Sequence, residues 1–265
     1  MKYKDLNLSS VCKDVSDSLK GSEVFKKSNE IEIPSFFYST GDGLLNKALS
    51  GDSIKGIPSP SLVEIYSMGG EENEVIVLPI IKECQDVDGL VLILDSTKTF
   101  DKVKAKKIGI DLDRCLELNP KSLEDSFSIL CKLIETSLDF LPTLIVWNFP
   151  ELMPSINDLE GTFEEINEKA NSKVLLEGFK SILISLRDRH VCFICLTSKK
   201  ENRRTNQTYT LGDKINKLFT VRLSIESHEA EYSDVKVVKN LTGNLTSSLL
   251  HLPRYHKDLL NKDFK

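Results

Sequence analysis

Two kinds of apolar pattern alternate through the middle of the chain. Short continuous runs occur at "LVEIYS" (62–67), "GLVLILDS" (89–96), "TLIVWNF" (143–149) and "VCFICLTS" (191–198). Runs of this length, bounded by turn residues, predict strands buried on both faces. Between them the apolar residues recur at helical spacing. Leu123, Phe127, Leu130 and Ile134 share one face of a predicted helix, and a second long helix is predicted over 171–190. Strands separated by helices predict an α/β fold, a doubly wound, mainly parallel sheet flanked by helices. The last third changes character. Strand-like runs at 218–227, 234–240 and 245–252 follow one another without helices, which predicts an antiparallel C-terminal extension at the sheet edge.

The first residues read differently. Leu8, Val11, Val15 and Leu19 can line one face of a short helix, and Phe36 and Phe37 form an exposed-looking pair. Residues 1–38 are too few and too polar to make a core, so they predict an N-terminal arm that packs on another protomer. A helix over Leu44 to Leu49 opens a core expected to span 39–252, with 253–265 as a tail.

Composition narrows the classes. Of 265 residues, 40% are apolar and 28% charged, as in globular domains. No apolar run reaches the roughly 18–20 residues of a membrane helix. The polar N-terminus lacks a signal-peptide core, so a cytoplasmic protein is expected (in a host cell, if the chain is viral). The six cysteines sit mostly inside apolar segments, which points to reduced thiols. A net charge of −5 gives no global attraction for nucleic acid, so any such binding needs a local basic patch.

The stretch "LVEIYSMGGEENEVIVLPII" (62–81) carries the chemistry to explain. A strand, a tight turn at Gly69 and Gly70, and a helical run make the layout of a phosphate-binding loop. Asn73 stands where such a loop needs Lys, and Glu74 where it needs Ser or Thr. Glu71 and Glu72 add further negative charge. Taken alone, the stretch fits equally well an ordinary strand–turn–helix with an acidic cap favourable to the helix dipole.

Several segments, in order, resemble the RecA/UvsX recombinase family. "STGDGLLNKALSG" (39–51) is similar to the segment before that family's P-loop. "LVEIYSMGGEENEV" is similar to "IVEIYGPESSGKTT", and "LILDSTKTFDKVKAKKIGIDLDRCL" (92–116) to the following strand and helix. "LIVWNFPELMPSINDLEG" (144–161) resembles the Walker B strand and its exit. "TLGDKINKLFTVRLSI" (210–225) and "VKVVKN" (235–240) resemble the late strands. The resemblance covers roughly 36–245 and implies a RecA-like core. It also implies which positions would do chemistry. The catalytic Glu falls on Thr97, the Walker B Asp on Asn148, and the γ-phosphate-sensing Gln on Ser198. With Asn73 and Glu74, five functional positions depart from the family. Phosphoryl transfer depends on those parts, so the resemblance implies a degenerate ATPase with no catalytic residue, no cofactor and no metal.

The family's trans-acting lysine, which reaches a neighbour's ATP, falls on Lys239. A solvated strand-edge charge explains that lysine equally well. Of the two DNA loops that the resemblance implies, the first (158–173) is acidic. The second (199–212) carries Lys199, Lys200, Arg203 and Arg204, with Tyr209 as a stacking surface. "CFIC" (192–195) matches C-x-x-C. In a strand, however, residues three apart face opposite ways, which predicts core packing instead of metal binding. The expected function is an inactive RecA-like paralogue acting in recombination or repair as an accessory, mediator or assembling subunit. Its partners would be copies of itself or an active recombinase, with single-stranded DNA. The alternatives are a structural protein that reuses the fold without DNA or ATP, and an ATPase with a remodelled site.

Overall fold

The computed structural model describes residues 36–137, 141–161, 168–187, 189–202, 207–228, 232–241 and 249–253. The core unit spans Pro34–Lys265. The stripe of Leu8, Val11, Val15 and Leu19 lies outside the described residues.

Strand β1 (Phe36–Tyr38) pairs antiparallel with β2 (Ile57–Ser59), and helix α1 (Gly43–Ser50) lies between them in sequence. Asp42 caps α1 by accepting the Leu44 and Leu45 N–H groups, and Gly51 ends it in the left-handed conformation. The core edge therefore begins before the residue 39 expected from the sequence. Phe36 packs on its own core and stacks edge-to-face on Tyr38, while Phe37 lies under the Lys55 ammonium. Neither ring is the freely exposed surface that the sequence suggested.

The main sheet is built from β3 (Ser61–Met68), β4 (Leu90–Asp95), β5 (Cys115–Leu118), β6 (Thr143–Asn148), β7 (Val191–Asn202), β8 (Gln207–Tyr209), β9 (Val221–His228), β10 (Tyr232–Asn240) and β11 (Leu249–Pro253). Their order is β11-β10-β9-β3-β7-β6-β4-β5, with β8 paired to the end of β7. From β9 through β5 every pairing is parallel, whereas β10 and β11 add antiparallel. The expected antiparallel extension is thus β10 and β11, and β9 joins the parallel core. The described helices after α1 are α2 (Glu74–Asp86), α3 (Lys102–Lys107), α4 (Leu123–Glu135), α5 (Ile156–Glu160), α6 (Glu168–Ser185) and α7 (Asp213–Asn216).

Alternation along the strands divides the core into two layers. Val63, Ile65, Cys192 and Ile194 face α1 and α2, whose Leu45, Leu49, Ile76 and Ile80 are buried. Leu62, Phe193, Cys195 and Trp147 face α4 and α6 through Phe127, Leu130 and Phe179. Cys192 and Cys195 therefore point into different layers. Burial pushes both thiols up, so they pack as small apolar groups.

One charged pair interrupts the apolar sheet. Glu64 of β3 is fully buried and accepts hydrogen bonds from the Arg222 guanidinium of β9 and the Thr197 hydroxyl of β7. Arg222 also lies over the Tyr66 ring, 5.2 Å from its centroid, and donates to the Thr210 hydroxyl at 3.3 Å. This ties the central strand to the root of the β7–β8 ribbon. Arg222→Ala leaves a carboxylate buried without its counter-charge and is expected to cost about 3–5 kcal/mol. The paired change Glu64→Leu with Arg222→Met is expected to recover most of that loss, read from urea unfolding midpoints.

Candidate functional site

The site lies at the carboxyl ends of the parallel strands, where β3 turns into α2. Gly69 and Gly70 have φ of +76° and +88°, a region glycine enters without strain. A Cβ on Gly70 would fall 2.3 Å from ring atoms of Phe149, so the ring lies directly against the loop backbone. Phe149 follows β6 and has φ +52°; its N–H donates to the Leu196 carbonyl at 2.9 Å. A single 3-10 turn, Glu71–Asn73, connects the glycines to α2.

Each of the five departing positions is held by the protein's own groups. Asn73 is buried and its amide donates to the Thr197 carbonyl at 2.9 Å. At the start of α2, the Glu74 carboxylate takes the Lys104 ammonium at 3.0 Å and the Asp101 N–H at 3.1 Å. Asp101 also lies 3.5 Å from the same ammonium. Burial alone would lower the Lys104 pKa, but the bond to Glu74 and the charges of Glu74 and Asp101 outweigh it and hold it above the ordinary value. Asn148 donates to Asp95 at 3.1 Å and to the Thr99 hydroxyl at 2.8 Å. The Thr97 hydroxyl bonds Asp95 and Thr99. Asp95 in addition takes the Phe100 N–H at 2.8 Å, so its carboxylate organises the whole turn after β4. The N–H and hydroxyl of Ser198 donate to Glu151 at 3.0 and 3.2 Å.

A cleft of about 490 Å³ lies between Gly69, Gly70 and Glu74 on one side and Asn148, Phe149 and Ser198 on the other. Beneath it, some buried polar atoms are not satisfied. Ser67 Oγ, Glu72 Oε2, Asn73 Oδ1 and Glu151 Oε2 are sealed from solvent and have no hydrogen-bond partner among the described residues. Desolvation raises the Glu151 carboxyl pKa, and the Ser198 N–H offsets this only in part.

The other expected sites are spread around this end of the sheet. Residues 199–202 and 207–209 form a β-ribbon, with Lys200 opposite Tyr209, in place of the loop predicted there. Lys200 is exposed, and Lys199 reaches Glu226 at 3.8 Å. Arg203, Arg204 and the side chain of Tyr209 lie outside the described residues. Lys239 is half-buried and donates to the Lys217 carbonyl at 2.8 Å; desolvation, then the neighbouring Arg222 charge, lowers its pKa. Sequence reasoning missed Lys104, Asp101, Phe149, Asp95 and Glu151. Asp101 and Lys104 at i,i+3 gave a faint signal, since that spacing brings side chains together. Nothing local marks Phe149 or Glu151, whose roles depend on which strand ends adjoin.

The fold and site define a doubly wound α/β protein with a strand–loop–helix cleft at a strand carboxyl end, the position where such folds bind ligands. The chain belongs to the RecA N-terminal domain family, matched over residues 8–245. It is 26% identical over 222 residues to "Protein RecA" of Malacoplasma penetrans, covering 82% of this chain and 65% of that protein. Against "Protein RecA" of Mycoplasma genitalium it is 27% identical over 209 residues, covering 78% and 58%. For that of Cytophaga hutchinsonii the values are 25% over 229 residues, 84% and 61%. The chain thus spans about three fifths of the length of these relatives. No helix among the described residues is long and apolar enough to cross a membrane.

Two substitutions probe the geometry. Asn148→Asp replaces a donor to Asp95 with a second carboxylate. It is expected to destabilise the fold by about 1–3 kcal/mol at neutral pH, with the loss shrinking as the pair is protonated in acid. Unfolding in urea at neutral and acidic pH reads this. Glu151 gives the second test. A carboxyl whose folded pKa lies above its unfolded value favours the folded state at low pH. That contribution is lost as pH rises from about 4.3 through the raised pKa. Glu151→Gln cannot titrate, so its stability relative to wild type is expected to climb across that window and then level off. A difference independent of pH would contradict the assignment.

Proposed function

We propose that this chain is a RecA-fold subunit without ATP hydrolysis of its own. It acts in DNA recombination or repair as an accessory, mediator or assembling partner of an active recombinase. The observation that carries the reading is the Glu74 carboxylate bonded to Lys104 and the Asp101 N–H at the start of α2. A helix start after a glycine turn favours an anion. Here a side chain of the protein is the anion, and an ammonium on α3 is its cation. A Mg-triphosphate does not fit these residues. Asn73 offers no positive charge, Glu74 repels phosphate, and the Asn148 amide donates where a metal site needs an acceptor.

The family assignment supports a role in DNA transactions. The exposed Lys200 and the neighbouring Lys199 on the β7–β8 ribbon supply a local basic feature on a chain of net charge −5. The apolar framework of both layers is that of a complete sheet, so a subunit of this kind can assemble without turnover.

Phosphate release with Mg-ATP and single-stranded DNA tests the proposal, combined with co-sedimentation against an active RecA-type recombinase. The chain alone is expected to release no phosphate and to sediment with the recombinase–DNA complex. DNA-stimulated turnover by the chain alone would overturn the first half. Failure to associate with either recombinase or DNA would overturn the second and leave a purely structural role.

A further inference from the structure

A lysine cluster separate from the β7–β8 ribbon lies on the turn after β4 and on α3. Residues 98–107, "KTFDKVKAKK", hold five lysines against Asp101 alone, within a chain whose net charge is −5. Lys98, Lys102, Lys106 and Lys107 are exposed. Lys104 differs from them, being turned to Glu74. Lys102 meets Glu117 across the surface, an exposed pair of the kind that contributes little and yields to competing anions. Among the described residues, Lys98, Lys106 and Lys107 have no carboxylate partner.

Helix stability does not explain the cluster. Cations in the last turn, such as Lys106 and Lys107, favour the helix dipole. Lys98 before the helix and Lys102 at its first position oppose it. Protein docking does not explain it either. Val103 is the one exposed apolar residue of the segment, and the segment's aromatic ring, Phe100, is partly buried against the protein's own core, whereas protein interfaces are built around aromatic and aliphatic anchors presented to the partner. Lysine point charges without an apolar centre match a phosphodiester backbone.

Position supports the same partner. Lys98 follows the carboxyl end of β4, and Lys199 and Lys200 lie at the carboxyl end of β7. Only β6 separates those strands, so at about 4.8 Å per strand step their ends lie roughly 10 Å apart on one edge of the sheet. We infer that the exposed lysines of the β4–α3 segment form a second contact for the backbone of single-stranded nucleic acid, continuous with the β7–β8 ribbon. The inference rests on the proposed DNA role but not on the ribbon being a contact.

Fluorescence anisotropy of a labelled oligothymidylate, titrated at several salt concentrations, tests it. The variants are Lys98→Ala with Lys106→Ala and Lys107→Ala, Lys199→Ala with Lys200→Ala, and the five changes together. Circular dichroism checks that each folds. The triple variant is expected to bind more weakly and to lower the slope of log affinity against log salt by about 2, from roughly 0.7 per phosphate contact for single strands. The matching Lys→Arg triple variant is expected to keep the wild-type slope. An unchanged slope in the triple alanine variant, with a reduced one in the ribbon variant, overturns this inference and leaves the proposed function standing. The opposite result supports it and removes the ribbon. A wild-type chain that ignores oligothymidylate but binds polyglutamate overturns both, in favour of an acidic protein partner.

Discussion

Glu74 lies in the first turn of α2, at the positive end of its dipole, and its carboxylate bonds across to Lys104 and the Asp101 N–H. A helix start of this kind, entered through two left-handed glycines, attracts negative charge. Glu74 supplies that charge from within the chain, and Lys104 balances it from α3 at 3.0 Å. The Asp101 N–H closes the arrangement, so the turn after β4, the short helix α3 and the loop after β3 are held together by one anion. Removing Lys104 leaves the largely buried Glu74 carboxylate at the mouth of the cleft without its cation.

The neighbouring residues agree with this arrangement. An acidic residue at 148 would face Asp95 with no cation between them, whereas Asn148 donates to it. Asn73 is too short to reach across the loop as a lysine would, and instead turns inward to the Thr197 carbonyl. Phe149 lies against Gly70 and covers the loop with an apolar face. The arrangement carries costs. Ser67, Glu72, Asn73 and Glu151 each keep a sealed oxygen without a described partner, and such groups are rare in folded proteins. Four of the five such atoms among the described residues lie near this end of the sheet; the fifth, Asn171 Oδ1, is on α6.

Much of the fold was legible in the residues because strands buried on both faces and helices of fixed period leave unambiguous apolar patterns. The runs at 62–67, 143–149 and 191–198 became β3, β6 and β7 within a few residues. β5 escaped notice because Cys115–Leu118 is an edge strand of four residues with an exposed centre. The β1–β2 pair escaped because Phe36 and Phe37, read locally, resemble free apolar surface, and only the pairing with Ile57–Ser59 brings Phe36 onto the core and Phe37 under Lys55. At the site, the departing positions could be named only through the family resemblance. What holds them could not, since Lys104 and Glu74 are 30 residues apart in sequence and Glu151 meets Ser198 across 47.

Glu74, paired with Lys104 at the mouth of the cleft, sets a negative charge where a nucleotide would need a positive one, so nucleotide is not expected to bind. Isothermal titration of the intact chain with Mg-ATP tests this most directly. The account predicts no binding heat up to millimolar ligand, where the binding free energy would be only about −4 kcal/mol. A micromolar dissociation constant would contradict it, because the Glu74–Lys104 pair would then have to open for phosphate.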